Sequence, residues 1–174
     1  IEAAGFPRGV FQLVVGNASE IGSEMLENPL CRKISFTGST EIGKRLIEGA
    51  AKTCPRLSLE LGGNAPLLIF ADADLDKAVE GAIIAKFRNT GQSCVASNRI
   101  YVERSVFDAF VEKFVAATKA LKIGYGLEEG MDIGPLIDEA GCESTLRFVE
   151  DAKAKGARVL CGGTRGDGDG AFVT

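Results

Sequence analysis

The fold is decided by a stretch between residues 33 and 63, which reads KISFTGSTEIGKRLIEGAAKTCPRLSLELGG. Residues 33–37 predict a short strand, which a glycine ends. Residues 40–52 carry apolar side chains on one helical face, so they predict a helix. Residues 57–61 predict a second strand, terminated by a pair of glycines. Strand, helix and strand at this spacing indicate a parallel α/β arrangement.

The flanking sequence continues this alternation. Residues 11–15 form a β-rich run, and Ser19 can N-cap a short helix that ends at Leu26. The second part begins near residue 62. Its patterns predict strands at 67–70 (buried), 99–102 and 158–160. They also predict helices at 75–88, from a capping box at Ser105 to residue 121 and at 139–155, and an exposed turn at 166–170. We therefore predict an α/β fold whose second part begins near residue 62.

The composition of the 174 residues limits the class of protein. The net charge is −4 without a long basic run, which argues against nucleic acid as a partner, and no apolar stretch reaches the length of a membrane span. Five cysteines without a C-x-x-C pair fit free thiols in a reducing compartment. Histidine is absent, so no His-ligated metal site is expected and any base must be a carboxylate, Lys or Tyr. Because the start lacks Met and the end lacks a capping signal, we expect both ends to be cuts through a longer protein.

Two candidate sites follow the strands of the deciding stretch. Residues 38–43 link a strand to a helix, where free N–H groups can bind phosphate. This turn is not G-x-G-x-x-G, and its alternative interpretation is a plain capped turn. Glu60 stands at the end of an otherwise apolar strand, where partial burial would suit a general base. The alternative for Glu60 is a surface glutamate.

Cys94 is the third candidate, in the run GQSCVASN at residues 91–98. It lies among small polar residues between a predicted helix and a predicted strand, and Gly91 permits close backbone approach. A loop thiol near backbone N–H donors can act as a nucleophile. The alternative is a structural thiol, which is what we expect of the other four cysteines.

Three runs, taken in order, resemble the signature segments of the aldehyde dehydrogenase superfamily. They read FTGS at residues 36–39, LELGGN at 59–64 and FRNTGQSC at 87–94, and DIGPLI at 132–137 resembles a further segment. The resemblance runs essentially end to end. It implies that Cys94 is the nucleophile that attacks an aldehyde, that hydride transfer leaves a thioester, and that Glu60 activates the water that hydrolyses it.

The same resemblance implies a cofactor, NAD or NADP. Residues 1–61 would be the later part of a Rossmann-like cofactor-binding domain, and residues 62–174 the early part of the catalytic domain. The residues implied in cofactor binding are Phe36, Gly38, Ser39, Gly43, Leu61 and Gly62. The complete protein is expected to be a homo-oligomer, dimer or tetramer, in the cytoplasm or in a mitochondrial matrix. The chain alone is expected to be inactive.

Residues 86–92 are similar to the succinate-semialdehyde dehydrogenase subgroup of that family. There the residue at the position of Arg88 helps to bind the substrate carboxylate, whereas the alternative is a solvated helix-end cation. Ala96 stands where some members carry a second cysteine, so no local disulfide switch is expected. Three other functions stay open: an aldehyde dehydrogenase of another substrate class, a thioester-forming acyl transferase or hydrolase that uses Cys94, and a non-catalytic relative.

Overall fold

The computed structural model describes residues 1–174, which form two compact units, Ile1–Gly62 and Gly63–Thr174. Each unit contains one pair of parallel strands with helices packed on it. The predicted α/β class is therefore confirmed. The assignment of the two units to cofactor binding and to catalysis stays a prediction. No helix combines the length and the apolar character that crossing a membrane requires.

The first unit is built on helix α1 (Ala18–Glu27), strand β1 (Lys33–Gly38), helix α2 (Thr40–Ala50) and strand β2 (Arg56–Leu61). β1 and β2 pair in parallel, with Ile34 opposite Leu57. α2 buries one face, formed by Gly43, Leu46 and Ala50. The strand–helix–strand prediction is confirmed, because an apolar stripe of period 3.6 between two apolar-rich strands can bury itself only against their shared face.

Two predictions for the first unit are wrong. Residues 11–15 form no strand, and Val15 is 89% exposed, because no second strand pairs with this β-rich run. Strand propensity reflects packing on a sheet, so it has no effect without a partner. The cap of α1 is Asn17 rather than Ser19: its side-chain oxygen accepts the N–H groups of Ser19 and Glu20 at 2.9 and 3.3 Å.

The second unit contains strand β3 (Ala65–Ile69), helix α3 (Leu75–Phe87), strand β4 (Ser97–Val102), helix α4 (Phe107–Ala120) and helix α5 (Glu139–Ala154). β3 and β4 are parallel, with a register shift between Ala65 and Pro66. The core joins one face of this strand pair to α3 and α4 through Ile69, Val79, Ala82 and Phe110. The predicted helices of this unit are thus confirmed to within one or two residues at most ends.

Three details of the second unit differ from the predictions. Ser105 does not open a capping box, because residues Arg104–Val106 form a 3₁₀ turn that leads directly into α4 without a side-chain cap. Residues 158–160 are not a strand, since no other strand pairs with them. The strand at 67–70 is buried on one face alone: Leu68 on the opposite face is 59% exposed. The turn at 166–170 is exposed, as predicted, except for the half-buried Gly166.

Candidate active site

The pairing of β3 with β4 brings together the segments that precede them. Ala65 lies opposite Ser97, so the residues just before each strand meet at the same end of the parallel pair. A Cβ placed on Gly63 would lie 2.9 Å from the backbone oxygen of Cys94. The guanidinium of Arg99 donates to the backbone oxygen of Asn64 at 2.6 Å and ties the two segments a second time. The backbone of Cys94 is therefore held against a glycine.

The Cys94 loop, residues 88–96, contains three successive left-handed residues directly after Arg88. Asn89, Thr90 and Gly91 have φ angles of 54°, 58° and 72°. A positive φ is uncommon for L-residues and a clear outlier for a β-branched one such as Thr90. Gly91 also lies so close to the backbone oxygen of Lys86 that an added Cβ would stand 2.9 Å from it. The predicted close backbone approach at Gly91 is confirmed.

Hydrogen bonds hold this left-handed turn. The N–H of Gln92 donates to the oxygen of Asn89, and the side-chain amide of Asn89 donates back to the oxygen of Gln92, both at 3.0 Å. The N–H of Ile137 donates to Oε1 of Gln92 at 3.3 Å. The turn that precedes Cys94 is thus tied to a segment far along the chain.

Cys94 itself is exposed and stands in a tight turn. The N–H of Ala96 donates to the oxygen of Ser93 at 3.1 Å, and the N–H of Val95 lies 3.4 Å from the hydroxyl of Ser93. The N–H of Cys94 has no hydrogen-bond partner in the chain, and its thiol is free. An accessible thiol beside an unused N–H can attack a carbonyl carbon and stabilise the oxyanion that forms.

The other four cysteines do not share this environment. Cys142 is fully buried, 3.4 Å from a guanidinium nitrogen of Arg165, as expected for a structural thiol. Cys31 and Cys161 are partly buried. Cys54 is exposed in a left-handed conformation with φ 51°, so the expectation of a packing thiol is wrong there. Its position in the turn that follows α2 leaves the side chain with no core to enter.

The turn between β1 and α2 offers free donors. The hydroxyl of Ser39 accepts the N–H of Ile42 at 3.2 Å and caps α2. The N–H groups of Thr40 and Glu41 have no partner within the chain. The turn is therefore capped, as its plain interpretation predicts, and still presents two N–H donors at a helix N-terminus, where anions bind.

Phe36 and Leu61 pack on the glycines of this turn. The ring of Phe36 covers Gly38 so closely that a side chain at position 38 would overlap it. A Cβ on Gly43 would stand 2.7 Å from a methyl group of Leu61. These four residues form one packed group at the end of the strand pair, because each glycine leaves the space that its neighbour fills.

Glu60 lies on β2, opposite Thr37 of β1. It is exposed, so the expected partial burial is wrong for this structure. The cause is the alternation of the strand: Glu60 shares a face with Arg56 and Ser58, whereas the leucines of β2 point to the packed face. Glu60 and Cys94 belong to different units, and each is positioned by its own strand pair.

Arg88 is the C-cap of α3, and its backbone N–H donates to the oxygen of Ile84. The side chain is exposed, and its guanidinium takes part in none of the eight ion pairs of the chain. A cation without a partner is available to bind an anionic ligand. The sequence patterns did not identify Gly63 or Gln92 as supports of Cys94; a glycine directly before a strand is the signal that could have indicated Gly63.

The sequence of this chain is similar to the sequences of known proteins. The model of the aldehyde dehydrogenase family matches residues 1–174. A glutarate-semialdehyde dehydrogenase from Pseudomonas putida is 59% identical over 160 residues, which cover 92% of this chain and 33% of that protein. A succinate-semialdehyde dehydrogenase [NADP(+)] from Escherichia coli (strain K12) is 55% identical over 169 residues, which cover 97% of this chain and 35% of that protein.

The fold of this chain is also similar to that of a solved structure. The crystal structure of an NADP-dependent enzyme from E. coli aligns with a TM-score of 0.96 and 54% identity, and covers 99% of this chain and 36% of that one. The predicted family and α/β fold are thereby confirmed. The chain spans about a third of the length of the relatives that it matches.

Proposed function

Since this chain belongs to the aldehyde dehydrogenase family, we propose that the protein containing it oxidises a short semialdehyde to its carboxylate with NAD or NADP. Succinate semialdehyde and glutarate semialdehyde are the two substrates that we favour. The observation that carries the proposal is the exposed thiol of Cys94 beside its own unpartnered N–H, in a loop held against Gly63. The homo-oligomer and the cytoplasmic or mitochondrial location stay predictions, as does the inactivity of the chain alone.

Cys94 forms the covalent bond of the reaction. Its thiolate attacks the aldehyde carbon, and the carbonyl oxygen becomes an oxyanion that accepts a hydrogen bond from the N–H of Cys94. When bound, the nicotinamide ring supplies the two-electron oxidation that turns this adduct into a thioester. Glu60 then takes a proton from water, the water oxygen attacks the thioester carbon, and the carbon–sulfur bond breaks to release the carboxylate.

The first unit has donors suited to the cofactor phosphates. The unpartnered N–H groups of Thr40 and Glu41 stand at the start of α2, directly after β1, and a helix N-terminus favours a negatively charged group. In this proposal Gly38 and Ser39 would hold the pyrophosphate of the cofactor. Gly43 supports them, since α2 packs closely on Leu61 only where position 43 lacks a side chain.

The nicotinamide end of the cofactor is assigned to Leu61 and Gly62, with Phe36 as the packed neighbour of Gly38. Nothing lies within 4 Å of a Cβ placed on Gly62, so a ring could approach this backbone closely. The relative from E. coli carries NADP(+) in its name. We keep both NAD and NADP as cofactors, and a comparison of kcat/KM for the two decides between them.

Arg88 is the proposed anchor for the far end of the substrate. Succinate semialdehyde and glutarate semialdehyde each carry a carboxylate at the end opposite the aldehyde, and a guanidinium can hold a carboxylate through two hydrogen bonds. The Arg88 side chain is exposed and free of ion pairs, which leaves its donors available.

An aldehyde panel on the complete protein tests the anchor. Arg88→Ala is expected to lower kcat/KM for both semialdehydes by about 10- to 150-fold, since hydrogen bonds to charged groups contribute roughly 1.5–3 kcal/mol. The value of kcat/KM for butanal, which has no carboxylate, should fall less than about threefold. Arg147 is an exposed arginine on α5. The variant Arg147→Ala is therefore the matched control, and it should leave kcat/KM unchanged for every substrate. An equal loss for charged and uncharged aldehydes would contradict the anchor role.

Substitution of the two catalytic residues tests the mechanism. Cys94→Ala should abolish NAD(P)H formation, whereas Cys54→Ala, which removes another exposed thiol, should preserve it. Glu60→Gln should give one rapid equivalent of NAD(P)H followed by slow turnover, because the thioester forms but its hydrolysis lacks a base. Turnover by Cys94→Ala at the wild-type rate would refute the covalent mechanism, and loss of the rapid phase in Glu60→Gln would refute the assignment of Glu60.

A further inference from the structure

The turn that leads into Cys94 is intrinsically unfavourable. Asn89, Thr90 and Gly91 all adopt left-handed backbone conformations, of which only that of Gly91 is free of steric penalty. Backbone strain of this kind persists only where surrounding contacts impose it. The contacts that impose it here therefore control the shape of the loop that carries the thiol.

One side chain provides the distant hydrogen bond. Within the Cys94 loop, Gln92 alone uses its side chain to bond a remote part of the chain, by accepting the N–H of Ile137 at 3.3 Å. Gly134 lies close by, since a Cβ added to it would stand 4.0 Å from the hydroxyl of Thr90. The turn thus lies beside the 132–137 segment and is joined to it by one hydrogen bond.

The 132–137 segment is itself fixed. The N–H of Asp132 donates to the oxygen of Lys122, and the N–H of Lys122 donates to the carboxylate of Asp132, both at 2.9 Å. Further along, the N–H of Leu136 donates to the oxygen of Ala171 at 2.9 Å. Ile137 therefore presents its N–H to Gln92 directly after a residue, Leu136, whose own backbone is hydrogen-bonded.

Close packing around the turn is incomplete. A cavity of about 550 Å³ is lined in part by Thr90, Gly91 and Gln92 of the turn and in part by the 132–137 segment. Side chains that border a cavity lose the contacts that would otherwise hold them in place. The hydrogen bond between Gln92 and Ile137 thus has a larger share in holding the turn than it would have in a close-packed loop.

We propose that Gln92 is a positioning residue for Cys94: by accepting the N–H of Ile137, its side chain holds the left-handed turn that presents the thiol and the N–H of Cys94 to the substrate. This inference rests on the proposed function. Gln92 does not touch the reacting atoms in this role. Loss of the Gln92 side chain should slow the chemical step, which needs an aligned thiol, more than it weakens the binding of substrate or cofactor.

The test compares four variants of the complete protein. Gln92→Leu removes the acceptor, Gln92→Glu keeps an acceptor at the same chain length, and Gln12→Leu is the same change at an exposed position elsewhere. Gln92→Leu should lower kcat by about tenfold with KM unchanged within about twofold, because a misplaced nucleophile slows reaction without loosening binding. Gln92→Glu and Gln12→Leu should stay close to wild type. Gln92→Met, also without a strong acceptor, should behave as Gln92→Leu does.

Amide hydrogen exchange of residues 89–94 gives a readout that is independent of turnover. Exchange should be about three- to tenfold faster in Gln92→Leu and unchanged in Gln92→Glu, as expected for one lost neutral hydrogen bond. Unchanged exchange, unchanged kcat, or failure of Gln92→Glu to restore both would overturn the inference. If the wild type oxidises no aldehyde, the proposed function fails, and the exchange data alone then decide whether Gln92 holds the loop.

Discussion

Replacing Gly63 by alanine tests how tightly the backbone of Cys94 is held. The new Cβ would lie 2.9 Å from the Cys94 carbonyl oxygen, whereas ordinary contact begins at 3.4 Å. The carbonyl or β3 must therefore shift by about 0.5 Å, and overpacking of this kind costs about 1–3 kcal/mol. The neighbouring atom belongs to the backbone, so no rotation of a side chain can relieve the contact.

The effect on catalysis follows from the same displacement. A misplacement of 1 Å near a reacting group can cost about 100-fold in rate, so a shift of half that size should lower kcat by about tenfold. Aldehyde-dependent NAD(P)H formation measures kcat, and the rate of Cys94 alkylation by iodoacetamide, followed by mass spectrometry, reports the altered thiol. The free energy of unfolding comes from urea titration.

Two glycines provide the controls. Gly62→Ala introduces the same methyl group one position earlier, where nothing lies within 4 Å, and should leave the free energy of unfolding nearly unchanged. Gly81→Ala, on α3 with open space around it, should stabilise the protein by about 0.5–1 kcal/mol and leave kcat unaffected. The reasoning is refuted if Gly63→Ala matches Gly62→Ala in stability and matches wild type in alkylation and turnover.

Three further substitutions test the second unit, each by urea unfolding. Phe110→Ala should lower the free energy of unfolding by about 3–5 kcal/mol, because it empties the centre of the α3–α4 core. Asp74→Ala should lower it by about 1 kcal/mol, since the carboxylate caps α3 by accepting the N–H groups of Asp76 and Lys77. The hydrogen bond from Arg165 lowers the pKa of Glu139 below its ordinary 4.5. The contribution of this ion pair to the free energy of unfolding is therefore complete above pH 4.5 and is lost as the pH falls through the lowered pKa. Glu139→Gln should accordingly reduce stability at neutral pH, and the difference from wild type should vanish in acid.

Local sequence was sufficient where an element could form against its near neighbours. The apolar stripe of α2 lies between β1 and β2, and all three were predicted, because they bury one another within 29 residues of chain. Residues 11–15 and 158–160 have similar strand-like patterns, yet neither pairs with another strand. A strand is defined by its hydrogen-bonded partner, and the pattern of a single segment carries no information about that partner.

In the candidate site, too, local sequence predicted some features and failed to predict others. The exposure of Cys94 and the close approach at Gly91 followed from a run of small polar residues and a glycine. The left-handed Asn89 and Thr90 did not follow, because a β-branched residue intrinsically disfavours that conformation and distant contacts impose it. The exposure of Glu60 depends on which face of β2 packs on α2, and its apolar neighbours in sequence gave the wrong expectation.

The bond between Gln92 and Ile137 spans 45 positions of the chain, and this separation has a consequence during biosynthesis. A ribosome that adds about 5–20 residues per second needs roughly 2–9 s to proceed from one residue to the other. Throughout that interval the newly made Cys94 lacks the support that shapes its turn. Chains stalled before and after the 132–137 segment has emerged should therefore differ in the alkylation rate of Cys94, and equal rates would show that the turn forms without it.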